Sequence, residues 1–176
     1  MLNLFQKYRR LGTSTQRVQR EEFCQYFFAI PEHAWMNECT QTYGVFRACF
    51  ERLPSALLVT LMRQPLLFVQ SQNFTQQTAA RYQLHNTVVI FPEYQRLLKR
   101  GASEAVAFVA HELALVLYEI DAASEKDPLM AEVEADKFVC DLGLADELES
   151  LLLAMDESTE KRLRLTYLTF KAFGVS

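Results

Sequence analysis

The second half of this chain of 176 residues contains four side chains, close together in the sequence, of types that transfer protons or bind metal ions. His111 and Glu112 are adjacent, and Glu132 and Asp136 follow them, four residues apart. Residues four apart share one face of a helix, so Glu132 and Asp136 project together if their segment is helical. Imidazole and carboxylate groups serve acid-base chemistry or metal binding when the elements that carry them bring them into contact.

The segment 103–120 is predicted to be one long helix, with Ser103 as its N-cap and Glu104 in its first turn. His111 and Glu112 lie on one side of it. The other side is an apolar stripe at helical spacing, made of Val106, Val109, Leu113, Val116, Leu117 and Ile120. Because the side with His111 is partly apolar too, we expect it to be covered by protein and not washed by solvent.

The next helix is predicted at about 129–142. It carries Glu132 and Asp136 on one face, whereas Glu134 points roughly the other way. We therefore expect His111 and Glu132 to face each other across two packed helices, with Asp136 close behind.

His-Glu on one covered helix, followed by E-x-x-A-D on the next, resembles the gluzincin metallopeptidases, whose first helix reads H-E-x-x-H. The resemblance implies that His111 is the first zinc ligand and that Glu112 is the general base. It also implies that Glu132 is the third ligand and that Asp136 orients His111 from outside the ligand set.

The run Asn86–Phe91 resembles the strand that lines the substrate cleft in these enzymes. In all, the resemblance covers about residues 65–143. It implies a zincin-like core, in which a small β-sheet packs on the 103–120 helix.

Leu115 stands where these enzymes have their second zinc histidine. Leucine has no lone pair to donate, and catalytic zinc normally needs three protein ligands and a water molecule. We therefore expect His111 and Glu132 to be vestigial ligands, Glu112 to be a vestigial base, and no cofactor to bind. Zinc is expected only if another residue replaces the missing ligand, the candidates being His33, His85 and Cys140.

An interpretation without the family is an ordinary helical domain, in which His111 is a core histidine bonded to Glu132 or Asp136. Both interpretations predict similar packing around His111.

The remaining segments predict a mostly helical α+β protein. The expected strands are 66–69 and 87–91, which should pair with each other. The other expected helices are 13–29, 39–53, 55–62, 93–100, 145–155 and 158–172. A single domain, 1–176, is predicted, with a helical N-terminal part at 1–62, a metallopeptidase-like core at 65–143 and C-terminal helices at 144–176.

Charge and composition narrow the function classes. A net charge of −4 gives no reason to expect nucleic-acid binding, and no apolar run is long enough for a membrane helix. The four cysteines lack zinc-knuckle spacing and are interpreted as reduced thiols, and without a visible signal peptide a cytoplasmic location is expected. Basic residues in 1–20 and acidic ones in 121–160 indicate solvated faces, or an acidic surface that docks a basic partner or the chain's own N-terminus.

The leading hypothesis is a metallopeptidase-like pseudoenzyme that works as a binding or regulatory module, with a peptide or protein held in the vestigial cleft. One alternative is an active zinc peptidase that uses a non-standard third ligand. Another is a helical interaction domain unrelated to peptidases.

Overall fold

The computed structural model describes residues 16–64, 66–73, 86–121 and 128–172. They form two compact units, which divide between Ala105 and Val106. This division lies inside the segment 65–143 that the sequence analysis treats as one core, and the prediction of a single domain stays a prediction.

The first unit is mostly helical and contains one pair of strands. Its elements, in chain order, are α1 Gln16–Ala29, a 3-10 helix Pro31–His33, α2 Ala34–Asn37, α3 Thr40–Arg52, α4 Ser55–Arg63, β1 Leu66–Gln70, a 3-10 helix Ser71–Asn73, β2 Asn86–Ile90 and α5 Pro92–Arg100. The predicted helices and strands of this region are confirmed within a few residues, except that 13–15 lie outside the described part. The turns at 31–37 are not predicted, because they are too short to show an apolar period.

An aromatic cluster forms the core of the first unit. Phe27 has its ring centroid 4.8 Å from that of Phe50 and 6.1 Å from that of Phe68, both edge to face. Phe23 and Phe46 complete the cluster, and all five side chains are at most 2% exposed. Edge-to-face pairs add about 0.5–1.5 kcal/mol each to the free energy gained by burial, so this cluster holds α1, α3 and β1 together.

Strands β1 and β2 pair in parallel, from Leu66 opposite Asn86 to Gln70 opposite Ile90. The predicted pairing is thus confirmed, and its direction suits the long connection between the strands, since parallel strands need a crossover. All five residues of β1 are buried, as its continuous apolar run indicates. Packing of this sheet on the 103–120 helix stays a prediction.

His33 is a buried polar link between α1 and β1. Its Nδ1 lies 2.8 Å from the carbonyl oxygen of Phe27, and the backbone N–H of Phe68 donates to its Nε2 at 3.0 Å. Nδ1 must therefore carry the proton and Nε2 the lone pair, so the ring is neutral. Burial lowers the pKa of His33 to about 4.

Gly101 and Gly44 should respond in opposite directions to an added methyl group. Gly101 ends α5 with φ at +67°, and a Cβ there would lie 3.1 Å from the Cβ of Gln41. Gly44 lies inside α3, and a Cβ there would meet nothing within 4 Å. We expect Gly101→Ala to lower the free energy of unfolding by about 1–2 kcal/mol and Gly44→Ala to raise it by about 0.5–1 kcal/mol.

Urea unfolding followed by Trp35 fluorescence measures both changes, because Trp35 is the one tryptophan of the chain and lies in this unit. A stabilising Gly101→Ala would contradict the left-handed conformation at the end of α5.

The second unit is helical in its described part. It contains most of α6 Ser103–Asp121, with α7 Pro128–Asp141, α8 Ala145–Ala154 and α9 Thr159–Ala172. Lys161 ties α8 to α9, since its Nζ donates to the carbonyl oxygens of Leu153 at 3.2 Å and Met155 at 2.7 Å. A lysine at these carbonyls satisfies acceptors that the helix end leaves unpaired. The predicted helices of this region are confirmed, and residues 122–127 lie outside the described part.

The described residues thus form a mostly helical α+β protein with a small two-stranded parallel sheet. The polar residues singled out in the sequence lie on α6 and α7, both in the second unit.

Candidate functional site

Helix α6 carries His111 on a covered face, as its apolar neighbours predict. The side chains of Phe108 and His111 are each 5% exposed, and Leu113 on the opposite side is fully buried. A helix that is apolar nearly all round is buried on both sides. Glu112 is half-buried.

His111 contacts both predicted carboxylates of α7, one at each ring nitrogen. Its Nε2 lies 2.9 Å from Oε2 of Glu132, and its Nδ1 lies 3.1 Å from Oδ1 of Asp136. The predicted juxtaposition of these three residues across two helices is therefore confirmed. Their roles as vestigial zinc ligands and orienting residue stay predictions.

The carboxylate contacts of His111 favour its protonated form. A carboxylate oxygen only accepts, and the doubly protonated imidazolium offers a donor at each of the two ring nitrogens. Burial lowers the pKa of His111, but the hydrogen bonds to Asp136 and Glu132 outweigh this effect and raise it overall.

Arg164 of α9 completes the cluster and is absent from the sequence prediction. Its Nε and Nη2 donate to the two oxygens of Asp136 at 2.9 and 2.8 Å, and its Nη1 lies 2.9 Å from Oε2 of Glu132. Nη2 is also 3.3 Å from both ring nitrogens of His111. A guanidinium N–H only donates, so this last contact opposes the doubly protonated ring, and the charge of Arg164 likewise lowers the pKa of His111. We call these four residues the His111 cluster.

A signal for Arg164 exists in the sequence but is weak. Lys161, Arg164 and Leu168 follow helical spacing, and all three are buried, with Arg164 only 4% exposed. By composition alone, the segment after Glu160 is simply basic. A buried face that contains two cations stands out only once their partners are known.

Opposite charges meet in the His111 cluster. Two carboxylates face the guanidinium of Arg164, and the ring of His111 adds a second positive charge when it is protonated. Burial is the largest single influence on Glu132 and Asp136 and raises their pKa values, but the hydrogen bonds and positive charges of His111 and Arg164 together outweigh it and lower both. Both carboxyls are therefore ionised at neutral pH.

Glu112, the predicted general base, lies beside this cluster without a hydrogen bond to it among the described residues. Burial is the main cause that raises its pKa above the usual value, and the charge of Glu132 acts in the same direction. Glu112 is thus a weaker acid than an exposed glutamate.

The His111 cluster does not fit zinc. The two atoms that would hold the ion, Nε2 of His111 and Oε2 of Glu132, bond to each other, and Leu115 supplies no third donor. The guanidinium of Arg164, which contacts the same Oε2 of Glu132, also repels a cation at this place.

One of the other candidate ligands, His33, is bonded elsewhere. Both of its nitrogens are bonded to backbone groups of the first unit. Cys140 lies near Tyr167, and burial is the main cause that raises the pKa of Tyr167 to about 12. His85 lies outside the described residues. Within the described part of the chain, no group of three or more His, Cys, Asp and Glu residues is arranged to hold a metal ion.

Comparison of the chain with protein-family models, with curated proteins and with solved structures found no match. Over the part of the chain that the structure describes, no helix has the length and apolar character needed to cross a bilayer.

Proposed function

We propose that this chain is a metallopeptidase-like pseudoenzyme, which has kept the helices of a gluzincin zinc site but not its chemistry, and that it works as a binding or regulatory module. One observation supports the proposal most: His111 points Nε2 at Glu132 and Nδ1 at Asp136 at the same time, whereas the core histidine of an ordinary helical domain needs only one of these contacts. This is how a zinc histidine is oriented between a glutamate ligand and an aspartate that holds its other nitrogen.

Loss of hydrolysis follows from the same contacts. Without a bound metal, nothing lowers the pKa of a water molecule toward neutrality or polarises a peptide carbonyl. Arg164 does not substitute as an electrophile, because its three nitrogens already contact Asp136, Glu132 and Glu160 and its side chain is buried. Glu112 then has no activated water to deprotonate.

The proposed binding mode is addition of a peptide strand along β2. At the centre of β1, the backbone groups of Phe68 are taken by side chains, since its N–H donates to His33 and its carbonyl accepts from Nε1 of Trp35 at 3.2 Å. The outer edge of β1 is therefore blocked for pairing. An added peptide strand would pair with β2, by backbone hydrogen bonds that require no metal.

Metal analysis of the purified intact protein tests the pseudoenzyme proposal. We expect far less than one zinc per chain after equilibration with zinc and dialysis, and no peptidase activity that a chelator abolishes. The reason is the ligand count, since His111 and Glu132 offer two donors that already bond to each other.

The matched variant is Leu115→His, which places a donor four residues after His111. It should bind zinc more tightly than the parent, and no gain in a folded variant would contradict a latent zinc site at His111 and Glu132. Stoichiometric zinc in the parent, together with chelator-sensitive hydrolysis, would instead establish the active enzyme with a non-standard ligand.

A further inference from the structure

We infer that the Arg164 guanidinium replaces the metal ion as the positive group of this site. Helix α9, which carries Arg164, thereby keeps zinc out of a latent zinc site formed by His111, Glu132 and position 115. The inference rests on the proposed function. It adds that Arg164 replaces the metal ion and that the same side chain excludes zinc.

The first support is the charge of the site. A divalent ion, a neutral histidine and two carboxylates have a net charge of zero. In the His111 cluster, the guanidinium of Arg164 places a permanent positive charge against both of these carboxylates. Buried carboxylates need such compensation, because an unpaired buried charge is strongly destabilising. Asp136 is fully buried, so solvent cannot supply the counter-charge.

The second support is geometry. Arg164 holds Asp136 through a bidentate pair at 2.9 and 2.8 Å, and one further nitrogen reaches Glu132 at 2.9 Å. These are the short distances of charge-assisted hydrogen bonds. The guanidinium thus binds the very oxygen, Oε2 of Glu132, that also faces Nε2 of His111. A metal ion between that oxygen and that nitrogen would lie against a positive group.

The third support is the position of Arg164 in the chain. It lies 28 residues after Asp136 and 53 after His111, on a different helix from either. The positive charge therefore comes from α9, and zinc would compete with the Arg164 side chain for the carboxylate of Glu132. Removing the guanidinium should open the site without any change to α6 or α7.

Zinc binding by paired variants tests this inference. We expect Leu115→His with Arg164→Ala to bind zinc at one per chain and at least tenfold more tightly than Leu115→His alone. The control is Leu115→His with Arg162→Ala, which removes an exposed arginine two residues away and should bind like Leu115→His alone. Cobalt substitution provides a second measurement, because its visible absorption reports a low-symmetry site with nitrogen and oxygen ligands.

Folding is checked on the same samples by far-ultraviolet circular dichroism. If the alanine variant does not fold, Arg164→Met keeps most of the side-chain volume, removes the charge, and should show the same tenfold gain. Equal zinc affinity with and without Arg164 in folded protein would overturn the inference. It would leave the pseudoenzyme proposal intact, because that proposal depends on the metal content of the parent.

Discussion

Arg164→Ala should lower the free energy of unfolding of the second unit by about 3–5 kcal/mol. This is the cost of breaking a buried charge network by removing one partner, since the other charges stay behind without compensation. Asp136 would lose both hydrogen bonds from the guanidinium and remains fully buried, and Glu132 would lose one contact. Urea unfolding of the intact chain, followed by far-ultraviolet circular dichroism, measures the change.

Arg162→Ala is the matched control on the same helix. Arg162 pairs with Glu157 at 2.6 Å, but the two side chains are 72% and 58% exposed. Exposed ion pairs contribute at most about 1 kcal/mol, so this variant should lose no more than that. Similar losses for the two variants would show that the buried contacts of Arg164 do not hold α9 in place.

Acid should destabilise the first unit through His33, by about 3 kcal/mol between pH 6.5 and pH 4. The folded state keeps this ring neutral down to a pKa of about 4, whereas the unfolded chain takes up a proton below the ordinary value of 6.5. Unfolding therefore binds a proton in this window, and stability falls as pH falls through it. At 1.36 kcal/mol per pKa unit, the difference of about 2.5 units gives this magnitude.

His33→Gln separates this effect from other titrations, because glutamine does not ionise. We expect the parent's advantage in free energy of unfolding over His33→Gln to shrink by about 3 kcal/mol as the pH falls from 6.5 to 4. Trp35 fluorescence follows the unit in question. An advantage that stays constant across this range would mean that His33 is already protonated in the folded protein.

The two buried histidines, His33 and His111, should change the stability of the protein with pH in opposite directions. The pKa of His111 is raised, so its stabilising effect is present at pH values below the ordinary value and is lost as pH rises through the folded-state value. The pKa of His33 is lowered, so its effect is lost on acidification. The difference lies in the partners. Carboxylates favour the charged ring of His111, whereas a backbone N–H needs the lone pair of His33.

The sequence by itself determined the local elements. Helical spacing of apolar residues predicted α6, and Gly101 marked the end of α5 because a left-handed residue there suits glycine. The spacing of Glu132 and Asp136 also placed them together on α7, since side chains four apart share a face of any helix. These features depend on neighbours within a turn or two, which is information that a single sequence contains.

Only the tertiary structure decided which charges meet. The partners of Arg164 lie 28 and 53 residues away, and those of His33 include a strand residue 35 positions later. No local period encodes such pairs, because their energy depends on burial and on distances set by packing. A basic residue on a helix looks the same in sequence whether it faces water or a buried aspartate. The sequence therefore predicted where His111, Glu132 and Asp136 would gather, and packing of α9 decided that a guanidinium neutralises them.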